Sequence, residues 1–290
     1  MTQQHNKAIM LWQPDQARIA QSNLSSFMAY VEQQTGKAFN DYAELYRWSI
    51  DDMQEFWSQL WDFCTVIGDK GEQRLLNGED IEHARWFPQA RLNFAQNLLR
   101  ERSDEIAIAF RAEDRIGYQL SFNQLYQQVA ALASWMRQQG VAKGDRVAAY
   151  LPNIPETVVA MLAATSLGAV WTSTSPDFGE DSVIDRFGQT EPVLLFCVDG
   201  YFYNGKTIDT RPTVRGVAQK IASIEHVVIV PFLETLPTEI DLPTARDWSD
   251  FCDVAATLAF TPVAFDHPLY ILFSSGTTGV PKCIVHGHGG

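Results

Sequence analysis

From Glu105 onward the chain alternates short, unbroken apolar runs with longer stretches in which apolar residues return every three or four positions. The runs at 105–110, 146–150, 169–172, 193–198, 226–230 and 269–273 predict strands, since a strand covered on both faces carries no polar side. Between them, Ser121 reads as an N-cap, and Phe122, Leu125, Val129, Leu132 and Met136 share one helical face that Gly140 ends. Pro155 opens the next helix, with Asn153 as its expected cap, and Gly168 closes it just past Ser166. Further helices are predicted near 181–187 and 213–223. Strand and helix in regular alternation imply an α/β fold with a mostly parallel sheet covered by helices on both faces.

The first hundred residues follow another pattern. Tryptophan is frequent (Trp12, Trp48, Trp57, Trp61, Trp86) and the spacing is helical. Ser49 is the expected N-cap of a helix in which Ile50, Met53, Phe56, Trp57, Leu60, Trp61 and Cys64 form one wide apolar face. Such an aromatic stripe is read as core. Two domains are therefore expected, a helical tryptophan-rich cap over 1–100 and an α/β domain over 101–290. Between Pro231 and Pro268 proline and acidic residues increase, which predicts an irregular connection with a helix near 248–258.

Composition narrows the function. The chain has 290 residues, 46% of them hydrophobic, enough for a substantial core. Its formal charge is 22 − 35 = −13. A surface this acidic argues against nucleic acid or an anionic membrane as the main partner, so a polyanionic ligand needs a local positive site. The four cysteines, Cys64, Cys197, Cys252 and Cys283, show no paired spacing, which points to a reducing cytoplasm. No secretory signal is evident at the amino terminus, and the most apolar stretch, 158–171, is too short to span a bilayer.

That local site has a candidate. Directly after the run 269–273 come Ser274, Ser275, Gly276, Thr277, Thr278, Gly279, Val280, Pro281 and Lys282. The two glycines allow successive backbone N–H groups to converge on one anion. The four hydroxyls add donors, and Lys282 adds a full positive charge. This suits the tail of a nucleotide triphosphate, against the plainer reading of a Ser/Thr/Gly-rich hairpin turn. The loop differs from G-x-x-x-x-G-K-[ST], because Pro281 stands where that pattern places glycine. In a parallel sheet ligands bind at the carboxyl ends of strands, where this loop is expected. Cys283, His286 and His288 offer soft ligands at close spacing but no fourth, so no structural zinc site is expected.

The stretch Ser-Ser-Gly-Thr-Thr-Gly-x-Pro-Lys resembles the phosphate loop of the adenylate-forming superfamily of acyl-CoA synthetases, luciferases and peptide-synthetase adenylation domains. Within it, Trp86-Phe-Pro-Gln-Ala-Arg-Leu-Asn-Phe-Ala-Gln-Asn-Leu-Leu99 is similar to the segment that follows the amino-terminal cap in acetyl-type synthetases. Its Pro-x-Ala-Arg form, with Trp12-x-Pro, Ser49-Ile-x-x-Met-x-x-Phe-Trp57 and Tyr201-Phe-Tyr-Asn-Gly-Lys-x-Ile-Asp209, resembles the acetoacetate-activating branch. Cys283 departs from the pattern, since many members carry glycine there.

The resemblance implies a ligase that joins acetoacetate to AMP at the expense of ATP, with Mg2+, and then transfers the acyl group to coenzyme A. Acetate or propionate are the alternative acids. It implies that Ser274, Ser275, Gly276, Thr277, Thr278, Gly279 and Lys282 hold the β- and γ-phosphates. It also places Gly205-Lys206 near the coenzyme A nucleotide, which makes Lys206, Arg211 and Arg215 candidates for the 3′-phosphate, against the plainer reading of a solvated surface. By the same resemblance the adenine and acyl pockets, the ribose-binding aspartate and the catalytic lysine lie beyond Gly290. The 290 residues are thus expected to be a fragment without turnover of its own, or a non-catalytic half that docks a separate chain. Self-association through an exposed sheet edge is a further expectation.

Overall fold

The computed structural model describes residues 10–113, 117–233, 240–251, 255–274 and 279–290. Compact packing divides the chain between Val66 and Ile67. The first unit is helical: α1 (Gln16–Ala20), α2 (Asn23–Thr35), α3 (Tyr42–Asp51) and α4 (Met53–Phe63). Its core is Phe27, Val31, Leu45 and Trp48, with Phe39, Phe56, Leu60 and Phe63 packed against them. The single helix expected from Ser49 is two helices. Asp52, at φ −133°, interrupts the chain and caps α4 by accepting from the Glu55 amide, whereas Ser49 lies inside α3 and donates to the Tyr46 carbonyl. Ile50 and Trp57 consequently face solvent.

The second unit opens with two short antiparallel ribbons where helix was expected. β1 (Gly68–Asp69) pairs with β4 (Arg91–Leu92), and β2 (Leu75–Leu76) with β3 (Arg85–Trp86). Then come α5 (Phe94–Leu98), β5 (Ile106–Ala109), β6 (Gln119–Ser121), α6 (Phe122–Gln138), β7 (Arg146–Tyr150), α7 (Pro155–Ser166), β8 (Val170–Thr174) and α8 (Glu180–Thr190). They continue with β9 (Leu194–Val198), β10 (Gly200–Tyr203), β11 (Lys206–Asp209), α9 (Arg211–Lys220), β12 (His226–Val230), β13 (Ala245–Asp247), β14 (Pro268–Ser274) and β15 (Lys282–Gly287). Among the described strands, seven form one sheet in the order β13-β12-β9-β7-β8-β14-β15. Every neighbouring pair is parallel except β14 and β15.

Alternating residues of its strands feed two cores, as the pleat requires. Val147, Ala149, Leu194 and Phe196 face α6 and α7, while Ala148, Tyr150, Leu195 and Cys197 face α8 and α9. Three expectations need correction. The strand near 105–110 stands outside this sheet, in a two-stranded ribbon with β6. α7 is capped by Ile154 without a side-chain bond, so Asn153 is not its cap, and Pro155 at the first turn sets the start. The helix expected near 248–258 is a 3-10 turn at Trp248–Phe251. Residues 252–254 lie outside the described residues, and 255–258 have no regular structure.

Two polar side chains lock α5 to the sheet layers. Asn93 is fully buried. Its Oδ1 accepts from the Gln96 amide at 3.2 Å, and its Nδ2 donates to the carbonyls of Thr165 (3.0 Å), Ser166 (3.2 Å) and Thr261 (2.9 Å). His288, also buried, accepts from the Phe94 amide through Nδ1 at 3.2 Å, so the neutral ring carries its proton on Nε2. Burial, and then the neighbouring His267, lower the His288 pKa to about 4.

Asn93→Leu strands several buried carbonyls at once and is expected to cost about 3 kcal/mol in urea denaturation. For His288 the unfolded ring protonates at its ordinary pKa of 6.5, while the folded ring stays neutral down to about 4. Its contribution is therefore intact above pH 6.5 and is lost as pH falls toward 4. Measured against wild type, His288→Asn should show a shallower decline in the urea midpoint across that interval; an identical slope would remove His288 as the cause.

Candidate phosphate-binding hairpin

β14 enters the sheet beside β8, where Tyr270 and Ile271 pair with Trp171 and Thr172, and the Thr172 hydroxyl donates to the Ile271 carbonyl at 3.2 Å. β14 then runs on past this parallel pairing. Leu272, Phe273 and Ser274 are matched by Ile284, Cys283 and Lys282 of β15. β14 and β15 are thus an antiparallel pair, with Ser274 and Lys282 directly opposed at its end and their Cα atoms about 5 Å apart.

Of the expected phosphate ligands, Ser274, Gly279 and Lys282 are therefore placed on the two arms of one hairpin. Ser275, Gly276, Thr277 and Thr278 lie outside the described residues. Gly279 has φ +105°, a region glycine enters freely and other residues enter only under strain. Lys282 is exposed, so its ammonium is available to an anion. β14 is parallel to its neighbour β8.

Two further side chains order the loops at the carboxyl ends of the parallel strands. The Tyr150 hydroxyl, at the end of β7, lies 2.7 Å from both the Pro176 and Phe178 carbonyls and ties down the loop that follows β8. Burial above all, with Tyr201 next, pushes its pKa up to about 12, so it remains a donor at neutral pH. Asp199, just past β9, accepts from the amides of Phe232 (2.8 Å) and Leu233 (3.1 Å) and so fixes the segment leaving β12. Burial raises its pKa, and the backbone donors oppose that rise. The sequence reading passed over both residues, although a polar group at the end of an apolar strand is the signal that marks them.

The three basic candidates are distributed over β11 and α9. Asn204 (φ 51°) and Gly205 (φ 70°) make a two-residue turn with both φ positive, the geometry that joins twisted strands most directly. Lys206 follows that turn and is exposed. Arg211 stands at the other end of β11, about 10 Å along the strand. Its guanidinium grips Asp209 through Nε (2.9 Å) and Nη2 (2.7 Å), which lowers the carboxyl pKa and raises that of the arginine. Arg215 is exposed on α9. Among the described residues no group of His, Cys, Asp and Glu side chains could hold a metal ion. None of the described helices is long and apolar enough to cross a membrane.

The model of the AMP-binding enzyme family matches residues 94–290, and the model of the acetyl-coenzyme A synthetase N-terminus matches residues 42–98. The chain is 45% identical over 285 residues to the acetoacetyl-coenzyme A synthetase of Rhizobium meliloti (strain 1021), and 40% identical over 294 residues to the acetoacetyl-CoA synthetase of Rattus norvegicus. In both cases the match covers 97% of this chain and 43% of the relative. A solved acetoacetyl-CoA synthetase from Streptomyces lividans superposes with a TM-score of 0.88 at 41% identity, again over 96% of this chain and 43% of that one. The chain thus spans less than half the length of these relatives, and its fold is that of the corresponding part of the solved synthetase. With the family model covering 94–290, phosphate-loop hairpin included, the chain belongs to the AMP-binding enzyme family.

Proposed function

We propose that the chain is the amino-terminal part of a ligase that activates acetoacetate with ATP and passes the acyl group to coenzyme A. The observation that supports this reading is the opposition of Ser274 and Lys282, the two ends of the hydroxyl- and glycine-rich sequence, at the end of the β14–β15 pair. In the first step a carboxylate oxygen of acetoacetate attacks the α-phosphorus. The bond from that phosphorus to the bridging oxygen breaks, and pyrophosphate leaves. In the second, the coenzyme A sulfur attacks the acyl carbon, its proton passes to solvent, and AMP departs.

The hairpin's role is electrostatic. Ser274, Ser275, Thr277, Thr278, the amides around Gly276 and Gly279, and Lys282 hold the β- and γ-phosphates while negative charge grows on the departing pyrophosphate. Held in this way, the leaving group also lines up the α-phosphorus for attack. Magnesium would accompany the nucleotide as the counter-ion of its phosphates. Lys206 and Arg215 are the free basic side chains for the coenzyme A 3′-phosphate, with Arg211 shared with Asp209. Among the described residues no disulfide joins the cysteines, and Cys197 and Cys283 are thiols, which accords with a cytoplasmic setting. A second reading, a half that docks a separate chain, is favoured by β15, which is the sheet edge among the described strands and leaves Ile284 (46%) and Val285 (55%) exposed.

Calorimetry with magnesium ATP should show binding to the intact chain, with AMP binding more weakly, and Lys282→Met should lower the ATP affinity about tenfold. Equal affinity of wild type and variant would overturn the assignment of the hairpin. The relatives are more than twice as long, so residues 1–290 alone are expected to give no acetoacetate-dependent exchange of pyrophosphate into ATP. Clear exchange by the isolated chain would show that the adenylation machinery is already present within it.

A further inference from the structure

A phosphate loop works only if both of its arms are held, and the two arms here are held differently. β14 is an interior strand, paired with β8 on one side and β15 on the other. Phe273 extends that hold by packing near Phe187 of α8, with ring centroids 6.4 Å apart. The second arm, Pro281 into β15, lies at the sheet edge among the described strands, and its side chains from Lys282 to His286 are exposed. Pairing with β14 fixes its distance from the first arm but leaves its outer flank without support.

Gln189, in the last turn of α8, meets this arm. Its Nε2 donates to the Pro281 carbonyl at 2.9 Å and to the Asp185 carbonyl of its own helix at 2.6 Å, while the Cys283 thiol lies 3.9 Å from its Oε1. Two carbonyls can face only the NH2 end of the amide, and a thiol can donate only to the oxygen end, so the orientation of the side chain is dictated by its partners. The bond to Asp185 keeps the amide in place before it reaches Pro281. α8 is itself anchored: the Arg146 guanidinium donates to the Thr190 (2.7 Å) and Glu191 (3.0 Å) carbonyls at its end, and Phe187 and Val183 are fully buried beneath it. The hold on the second arm therefore traces back to the sheet core.

We infer that Gln189 is a positioning residue for the phosphate loop, fixing the Pro281–Cys283 backbone and with it the point from which Lys282 projects. This rests on the phosphate role proposed for the hairpin. Gln189 touches no phosphate. It acts through Pro281, and so it governs how well the loop is preorganised rather than how much charge it carries.

The test uses Gln189→Met, which keeps the length and removes the donor, with Cys283→Ala as a second variant that removes only the thiol contact. Gln189 is exposed, so folding is not at risk. Hydrogen exchange of the Val280, Lys282 and Cys283 amides, and calorimetric binding of inorganic tripolyphosphate, are measured in both variants and in wild type. In Gln189→Met, exchange at those amides should rise about tenfold while β7 amides stay unchanged, and tripolyphosphate affinity should fall about fivefold. Cys283→Ala should change both by less than about twofold, a weak thiol bond being lost. A general loss of stability would instead speed exchange across the sheet. If wild type binds tripolyphosphate and Gln189→Met matches it in affinity or in hairpin exchange, the positioning role is wrong and the phosphate role stands. If wild type does not bind, the phosphate role falls and this inference falls with it.

Discussion

The parallel pairing of Tyr270 and Ile271 with Trp171 and Thr172 sets the level at which β14 passes from β8 to its pairing with β15. That contact is short, two residue pairs and one hydroxyl bond, yet the position of Ser274 follows from it through the rigid geometry of a strand. It is supported from below. Leu269 is buried, the His288 amide donates to the His267 carbonyl at 3.0 Å, and the His267 ring lies 2.8 Å through Nε2 from the Gly168 carbonyl, just after α7. Since Phe94 donates to His288 and Asn93 reaches the end of α7, the hairpin base, α5 and α7 form one hydrogen-bonded body. The phosphate role proposed for the hairpin needs such a base, because preorganised donors lose little by reorientation when charge develops.

The covering helices supply the rest of the rigidity. Leu194, Phe196 and Val198 on one side of β9, with Leu195 and Cys197 on the other, are all inaccessible, so the strand is sandwiched between two apolar layers. Burial on this scale, at roughly 25 cal/mol per Å2 of apolar surface, outweighs the local irregularities above it. Those irregularities cluster beyond the carboxyl ends, where Tyr150 and Asp199 have their polar groups satisfied by loop backbone. Loops with dedicated buried anchors keep their shape without being part of the sheet.

What the sequence discloses follows from the range of each interaction. The strands β7 and β12 and the helix α7 lie at the residues their apolar runs and Pro155 indicate, because local pattern and tertiary burial agree there. Ser121 is legible as a cap for the same reason, and the structure adds the reciprocal bond from Gln124. Ser49 misleads because Asp52 competes for the same start with a capping carboxylate three residues on, and a break between two helices is invisible to a periodicity that spans both. The strand at 106–109 is correctly a strand, but its partner β6 is too short to announce itself, so its sheet could not be assigned from alternation alone. Asn204-Gly205 carried a hairpin signal in plain view. At the site, the residue types of the loop were legible. The register that opposes Ser274 to Lys282 is set by β15, a non-local pairing, and the reach of Gln189 across to Pro281 has no sequence signature at all.

The charge of the chain gives these local anchors their importance. At −13 overall, the protein repels a polyphosphate at long range, so the binding energy has to be generated within a few ångströms of the loop. Lys282 is the one full cation on the described arms of the hairpin, and a single exposed lysine in water contributes little unless it is held near its target. In the proposed phosphate role the remainder would come from hydroxyls and backbone amides, whose contribution depends on angle as much as distance. A loop built in this way trades raw charge for geometry: a shift of its second arm misdirects several donors together, and the ammonium of Lys282 moves with them. The interior pairing of β14, the pairing of β15 with it and the Gln189 bond to Pro281 are therefore three successive constraints on one quantity, the position of the Lys282 backbone opposite Ser274.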